Sequence, residues 1–322
     1  MKRFEANEKN ISTASHIIRG GGLVAFPTET VYGLGANGLN PTAVAKIFEA
    51  KNRPAFNPLI LHIASKDSLE DIATVNNHRV YRLIQEFWPG PLTLVLPKKA
   101  KVPDIVTSGN NTVAVRMPDH KVALALIEKA GTPIAAPSAN KFGQLSPTEA
   151  EHVINQLGES VDMILDGGKC KVGVESTILL VEEDKFTLLR PGGIPAEALE
   201  EFTGPLAKSE IVSDTPVSPG QLPYHYSPVM PMRFLDEVNI EKVDPLKTGV
   251  IYFKEKKYDK NFKSALVLSP SGNLYEAAAN LFGYLHLIES QNLELILVEK
   301  VEEKGLGMAI MDRLNRAVAK YR

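Results

Sequence analysis

Four cationic side chains stand where helix or strand patterns end: Lys51, Arg53, Arg116 and Arg190. The chain as a whole has no surplus of cations, with 36 Lys and Arg against 38 Asp and Glu and a net charge of −2. Each cation alone has an ordinary explanation. Lys51 and Arg53 close an amphipathic stretch that Pro54 stops, where positive charge complements the negative end of a helix. Arg116, just before Met117-Pro118, could be a charge on a sheet edge. Their neighbours favour a shared pocket, because hydroxyl, amide and imidazole groups gather at the same boundaries. PTETVYG, from Pro27 to Gly33, sets two threonines, a carboxylate and a tyrosine directly after a buried-looking strand. His62 alternates with Leu61 and Ile63, so it faces away from the apolar side of its strand. Thr112 and Arg116, four apart in NTVAVRMP, share one strand face. PSAN (Pro137 to Asn140) ends one apolar strand, GVEST (Gly173 to Thr177) opens another with Glu175 and Ser176, and LLRPGG (Leu188 to Gly193) ends a third with Arg190. In open α/β sheets ligands collect at strand ends. Fixed cations meeting there suit a polyanionic small molecule, because they offset the charge that builds at phosphorus.

Other fingerprints are weak or missing. Gly33, Gly35 and Gly38 match the spacing of a dinucleotide-binding loop. Yet a polar segment separates them from the preceding strand, and the next strand ends in Ser65 rather than an acid that would hold a ribose. Tight turns at positive φ are the simpler expectation for these glycines. No Walker lysine loop, HExxH or GxSxG occurs. The seven histidines form no ligand-spaced pair and Cys170 stands alone, so neither a disulfide framework nor a protein-ligated zinc or iron–sulfur site is expected.

The elements that must position these residues follow from pattern and punctuation. At about 150 residues per domain, 322 residues suggest two domains, and 44% hydrophobic with 23% charged residues is ordinary for a globular chain. Strands are expected at 23–26, 59–64, 92–96, 113–117, 133–136, 161–165, 176–181 and 186–189. Helices are expected at 12–19, 41–51, 68–87 with a break near Asn76, 120–129, 147–157 and 196–202. Asn40-Pro41 and Ser146-Pro147 both read as an N-cap followed by proline at the first helical position. Residues 203–231 form a proline-rich linker with aromatic content, SPGQLPYHYSP. From 232 a strand–helix–strand–helix order predicts a small parallel sheet. No apolar run reaches the ~18 residues of a membrane span and no export signal is apparent, so a cytoplasmic protein in a reducing compartment is expected.

The ordered motifs PTETVYGLG, KNRPAFNPLILHI, WPGPLTLVL, TVAVRMP, PSANKFGQLSPTEAEHV, GVESTILL and LLRPGGI resemble the YrdC/Sua5 family of threonylcarbamoyl-AMP synthases. The likeness spans Ile11 to Phe202, and the linker with a C-terminal part ending GLGMAIMDRLNRA is similar to the longer, two-domain Sua5 type. It implies a YrdC-like twisted open mixed α/β sheet over residues 1–202, a linker or lid over 203–231, and a smaller Rossmann-like α/β domain over 232–322. The implied reaction joins L-threonine, bicarbonate or CO2, and ATP with its Mg²⁺ into threonylcarbamoyl-AMP and pyrophosphate. The product would pass to a tRNA threonylcarbamoyl transferase for t6A at position 37.

By motif position, the resemblance implies threonine contacts at Thr30, His62, Arg116, Ala136 and Ser176. It implies ATP contacts at Arg53, Asn57, Thr112, Ser138, Ser146, Arg190 and Tyr226, and Lys51 as a catalytic cation near the reacting groups. His225 would accompany Tyr226 over the nucleotide. Gln221 to Tyr224 replace a basic residue often found in the family linker. Two other classes remain on sequence grounds: a double-stranded RNA-binding module using the same cations, and a dinucleotide oxidoreductase resting on the three glycines.

Overall fold

Two sheets organise the chain, and the larger takes in most of the boundaries named above. The computed structural model describes residues 2–183, 185–208, 216–220 and 226–321. The first part runs β1 (Arg3–Glu5), α1 (Glu8–Arg19), β2 (Val24–Phe26), β3 (Gly33–Asn37), α2 (Pro41–Lys51), β4 (Ile60–His62), α3 (Arg79–Phe87), β5 (Leu92–Pro97) and α4 (Asp104–Thr107). It continues through β6 (Thr112–Arg116), α5 (Lys121–Ala130), β7 (Ile134–Ala135), α6 (Ala150–Leu157), β8 (Met163–Asp166), β9 (Thr177–Val181), β10 (Phe186–Arg190), α7 (Ala196–Thr203) and β11 (Ala207–Lys208). The second part is β12 (Met232–Phe234), β13 (Thr248–Tyr252), β14 (Ser264–Val267), α8 (Leu274–Glu289), β15 (Leu295–Val298) and α9 (Gly307–Ala319).

Among the described residues, eleven strands form a mixed sheet in the order β1-β8-β2-β3-β7-β4-β6-β5-β9-β10-β11. Alternation along the strands separates its two faces. Leu34, Leu61, Val113 and Val115 face the main core, which α2 and α3 cover through Val44, Ile47, Val80 and Leu83. On the other face α1 and α5 cover Val24 and Phe26. Further along that face Ile60, Val95, Ala114, Ile178 and Leu189 form a small cluster capped by Val217 of the linker. Between these two covers the sheet carries polar side chains instead of helices.

The smaller sheet is parallel throughout, in the order β12-β15-β13-β14, as strand–helix alternation predicts. Asn40 caps α2 as expected, accepting from Thr42 N at 3.0 Å and Ala43 N at 3.2 Å. Ser146 does not cap α6, which starts at Ala150, four residues on; its hydroxyl donates to the buried Glu175 carboxylate. The expected 68–87 helix is realised only as α3, after a 3-10 turn at Lys66–Leu69. β1, α4, β11 and β12 were not legible, being two to four residues long.

The glycine motif has a different use from either expectation. Gly33 and Gly35 lie within β3, paired antiparallel with β2, and Gly33, Gly35 and Gly38 are not at positive φ. A Cβ on Gly35 would stand 2.7 Å from Phe26 and 2.8 Å from Ile134. Gly33 and Gly35 leave room for the Phe26 ring and Gly38 for Leu61 and Pro133, and the dinucleotide-loop reading falls with the turn it requires.

The two parts are packed together. Val31, Leu145 and Val174 of the first join the core of the second beside Ala278, Phe282 and Leu314. His152 stacks on His286 with ring centres 3.8 Å apart. Gly173, at φ +76, approaches α8 so closely that a Cβ there would meet Ala278 O at 2.3 Å and Ala279 Cα at 2.5 Å. Gly173→Ala is therefore expected to lower the unfolding free energy by about 2 kcal/mol or more, since both backbone strain and a backbone clash oppose it. Denaturant unfolding of the full chain checks this; an unchanged midpoint would contradict the close docking.

Candidate active site

The uncovered strip of the large sheet is the floor of a cavity. Thr28, Thr30 and Val31 follow β2, Ile60 and His62 stand on β4, and Arg116 ends β6. Ala136 to Ser138 follow β7, Glu175 and Ser176 precede β9, and Arg190 ends β10. Arg53 enters from the end of α2, while Pro219, Gly220 and Tyr226 of the linker segment close the top. Gly220, at φ +85, sits against Arg190: a Cβ there would stand 2.6 Å from its Cδ. Tyr226 is 1% exposed and holds φ 63, a backbone region costly for a non-glycine residue.

Three guanidinium groups meet in this space at 7%, 3% and 4% exposure for Arg53, Arg116 and Arg190. Asn52 ends α2 in the left-handed region, which turns the chain so that Arg53 points inward. Its Nε donates to Asn57 O at 3.1 Å and its Nη2 to Pro58 O at 2.9 Å. Arg190 donates from Nε and Nη2 to Ser176 O at 3.2 and 2.9 Å, and from Nη2 to Ser176 Oγ at 3.1 Å. Arg116 Nη2 lies 2.6 Å from Glu29 Oε1, both side chains being buried. Neutral carbonyls orient Arg53 and Arg190 but leave them charged in a poorly hydrated place. Burial, with Arg190 nearby, pushes the Arg53 pKa down to about 9, and burial lowers that of Arg190 as well. A bound anion reverses that penalty.

His62 makes a T-shaped contact with Phe26, ring centres 6.2 Å apart, and its Nδ1 lies 3.2 Å from Ile60 O. Burial first, and Arg116 second, push its pKa down to about 3, so it works as a neutral hydrogen-bonding group. Glu175 is the carboxylate of the wall. Burial alone would raise its pKa, but Arg313 and Arg190, with the Ser146 hydroxyl, bring it down to about 2.

Of the residues expected from sequence, Thr30, Arg53, His62, Arg116, Ala136, Ser138, Ser176, Arg190 and Tyr226 line this one cavity. Lys51, Asn57, Thr112 and Ser146 do not. Lys51 is buried and its Nζ donates to the carbonyls of Ser138, at 2.6 Å, and Asn140, so it staples the PSAN turn that presents Ser138. Burial, with Arg53 nearby, lowers its pKa well below the usual lysine range. Asn57 is buried and its amide has no hydrogen-bond partner among the described residues. Thr112 begins β6, half-buried and opposite Pro97, on the same strand face as Arg116. Ser146 supports Glu175 from behind. His225 and Gln221 to Tyr224 lie outside the described residues. Arg116 is no edge charge, since β6 runs between β4 and β5. The three guanidiniums are buried at these low exposures, which weakens the expectation that these cations contact an RNA backbone.

Sequence reasoning named Glu175 at the head of a strand without giving it a role, and did not single out Glu29 or Arg313. Glu29 stood in view as the lone carboxylate of PTETVYG. Arg313 had a signal too, a cation on the apolar face that α9 shares among Ile310, Leu314 and Ala317.

A mixed α/β sheet with guanidinium groups enclosed at its strand ends, under a linker cover, defines an enzyme-type site for a small polyanion beside a second polar ligand. The chain belongs to the Sua5/YciO/YrdC family, whose profile, described as "Telomere recombination", matches residues 16–192. A second profile, "Threonylcarbamoyl-AMP synthase, C-terminal domain", matches residues 194–319. The chain is 44% identical to a threonylcarbamoyl-AMP synthase of Pyrococcus abyssi over 98% of its length and 96% of the relative. It is 42% identical to one of Bacillus subtilis, over 98% and 94%. The crystal structure of P. abyssi Sua5 complexed with L-threonine superposes with a TM-score of 0.89, covering 98% of this chain and 96% of that one.

Held neutral in the fold, His62, His152 and His286 have pKa values near 3, 4 and 3 against 6.5 for a free histidine. Unfolding lets them bind protons below pH 6.5, so their contribution is present above that value and falls on acidification towards pH 4. The Glu175 contribution is lost only below about 4.5, its free value. Urea unfolding at pH 7 and pH 5 is expected to show lower stability at pH 5, with a shallower loss in His62→Phe. Equal losses in the two chains would contradict a neutral, buried His62.

Proposed function

We propose that this chain is a threonylcarbamoyl-AMP synthase: L-threonine, bicarbonate or CO2, and ATP give threonylcarbamoyl-AMP and pyrophosphate. The observation that carries the reading is the enclosure of Arg53, Arg116 and Arg190 around one cavity that also offers Thr30, His62 and Ser176. Arg116, Thr30, His62, Ser176 and the Ala136 backbone form the amino-acid half in this proposal, with Glu29 fixing Arg116. Arg53, Ser138, Arg190 and Tyr226 form the nucleotide half. Lys51, Asn57, Thr112 and Ser146 shape it from behind, Lys51 through the turn that carries Ser138.

The chemistry asks little of a nucleophilic side chain. The threonine amine adds to the one-carbon unit to give a carbamate, whose oxygen attacks the α-phosphorus and displaces pyrophosphate. A carbamate is unstable in water, so the protein's work is orientation, neutralisation of the phosphates and exclusion of solvent. Arg53 and Arg190 meet the growing negative charge with donors already fixed by carbonyls. A neutral His62 fits the polar end of the amino acid without competing for the amine's proton. Tyr226, with Pro219 and Gly220, keeps water out from above.

Mg²⁺ in this reading arrives with ATP and is held by phosphate oxygens and water, which lowers the charge the leaving group carries. The donor set agrees: the carboxylate on the wall, Glu175, is already engaged by Arg313 and Ser146, and among the described residues no acidic or histidine cluster could hold a metal ion. The product, an activated carbamoyl adenylate, calls for a carbamoyl-accepting tRNA transferase as the next partner. No helix among the described residues is long and apolar enough to cross a membrane, and the proposed setting is the cytoplasm.

Pyrophosphate release from ATP by the purified chain is expected to require both threonine and bicarbonate; release independent of threonine would refute the reading. Arg53→Ala should raise the KM for ATP tenfold or more with a smaller effect on threonine, and Arg116→Ala the reverse. Exchanged effects would overturn the division of the cavity.

A further inference from the structure

Arg313 belongs to the second sheet's part of the chain, yet its guanidinium lies directly behind the cavity wall. The side chain is 1% exposed. Its Nε donates to Glu175 Oε2 at 2.8 Å, and its Nη1 to Pro191 O at 2.8 Å and Asp312 Oδ2 at 2.7 Å. Its guanidinium carbon stands 5.0 Å from the centre of the Tyr226 ring, which Phe282 of α8 meets at 5.8 Å. Glu175 and Tyr226 line the cavity, whereas Arg313 and Phe282 do not.

Glu175 is a difficult neighbour for a polyphosphate. Left without a counter-ion it would repel the ligand, and it would draw Arg190, whose charge already acts on it, out of its place on Ser176. Arg313, which does not itself line the cavity, holds the carboxylate through Oε2. The same group lies over the face of the Tyr226 ring, a geometry in which cation and ring attract. One side chain thus fixes both the acid of the wall and the aromatic of the cover.

We propose that Arg313 is a positioning residue for the nucleotide half of the site, holding Glu175 and Tyr226 so that Arg190 stays free to meet the ligand's phosphates. The second domain is then a working part of the active site rather than only an anchor for the linker. The proposal rests on the nucleotide reading above, and its test reads ATP binding separately from turnover.

Titration calorimetry of ATP with the full chain, with and without threonine, is compared across wild type, Arg313→Met and the double variant Arg313→Met with Glu175→Gln. Arg313→Met is expected to weaken ATP binding tenfold or more while the KM for threonine changes less than threefold. The double variant, which removes the stranded carboxylate charge, is expected to regain most of that loss. ATP affinity within threefold of wild type in Arg313→Met, an equal loss for threonine, or no recovery in the double variant would each overturn the proposal. Thermal melts identify any variant that fails to fold; Arg313→Lys, which keeps a counter-charge for Glu175 but loses the fork that also reaches Pro191 O and Tyr226, then takes its place with the expectation of a smaller loss still selective for ATP, and an unchanged ATP affinity would overturn the proposal. Wild-type chain that binds ATP but makes no pyrophosphate would refute the synthase reading and leave the positioning test intact, whereas wild-type chain that binds no ATP overturns both.

Discussion

Buried positive charge is the constraint around which this molecule is organised. A guanidinium removed from water loses far more than a single carbonyl contact returns, so three of them facing one hollow are tolerable only with counter-charges or a ligand. Two carboxylates supply part of the answer. Glu29 takes Arg116, and Glu175, itself held by Arg313, lies beside Arg190. Arg53 is met by the carbonyls of Asn57 and Pro58. The remaining positive potential is what an anionic substrate meets, in a place where low polarity strengthens each contact.

The fold exists to keep those groups in register. β4, β6 and β10 end beside one another or beside the loops of β7 and β9, so side chains more than a hundred residues apart in sequence face one strip of sheet. Helices α1 and α5 cover one side of that strip and Val217 the other, and the gap is the site. Gly35 lacks a side chain where a Cβ would stand 2.7 Å from the Phe26 ring, and that ring meets His62 in a T-shaped contact. The second domain closes the system through Gly173, the His152–His286 stack and Arg313. Its docking surface and the roof of the cavity share Tyr226.

Much of this was legible in the sequence, and the reason differs from residue to residue. Strict alternation fixed which side of β4 His62 faces and placed Thr112 and Arg116 together, since a strand allows only two directions. Cations at element ends pointed to a shared pocket because several boundaries carried them in a chain without excess charge. The Gly33 to Gly38 segment misled, because a strand that needs missing side chains looks like a turn that needs missing side chains. Ser146-Pro147 carried a helix-start signature, but a buried carboxylate from a distant segment took the hydroxyl. Lys51, read as a group near the reaction, faces a loop's carbonyls because its direction depends on a turn at 137–140 that no local pattern encodes. Arg313 lay furthest from view: its partner is over a hundred residues away, across a domain boundary.

If one hollow holds a nucleoside triphosphate beside an amino acid, both must fit at once. Titration of L-threonine into the chain saturated with an α,β-methylene ATP analogue measures this directly. The account predicts one threonine bound per chain, with affinity equal to or tighter than without the analogue. Competition between the two ligands, so that the analogue abolishes threonine binding, would contradict it.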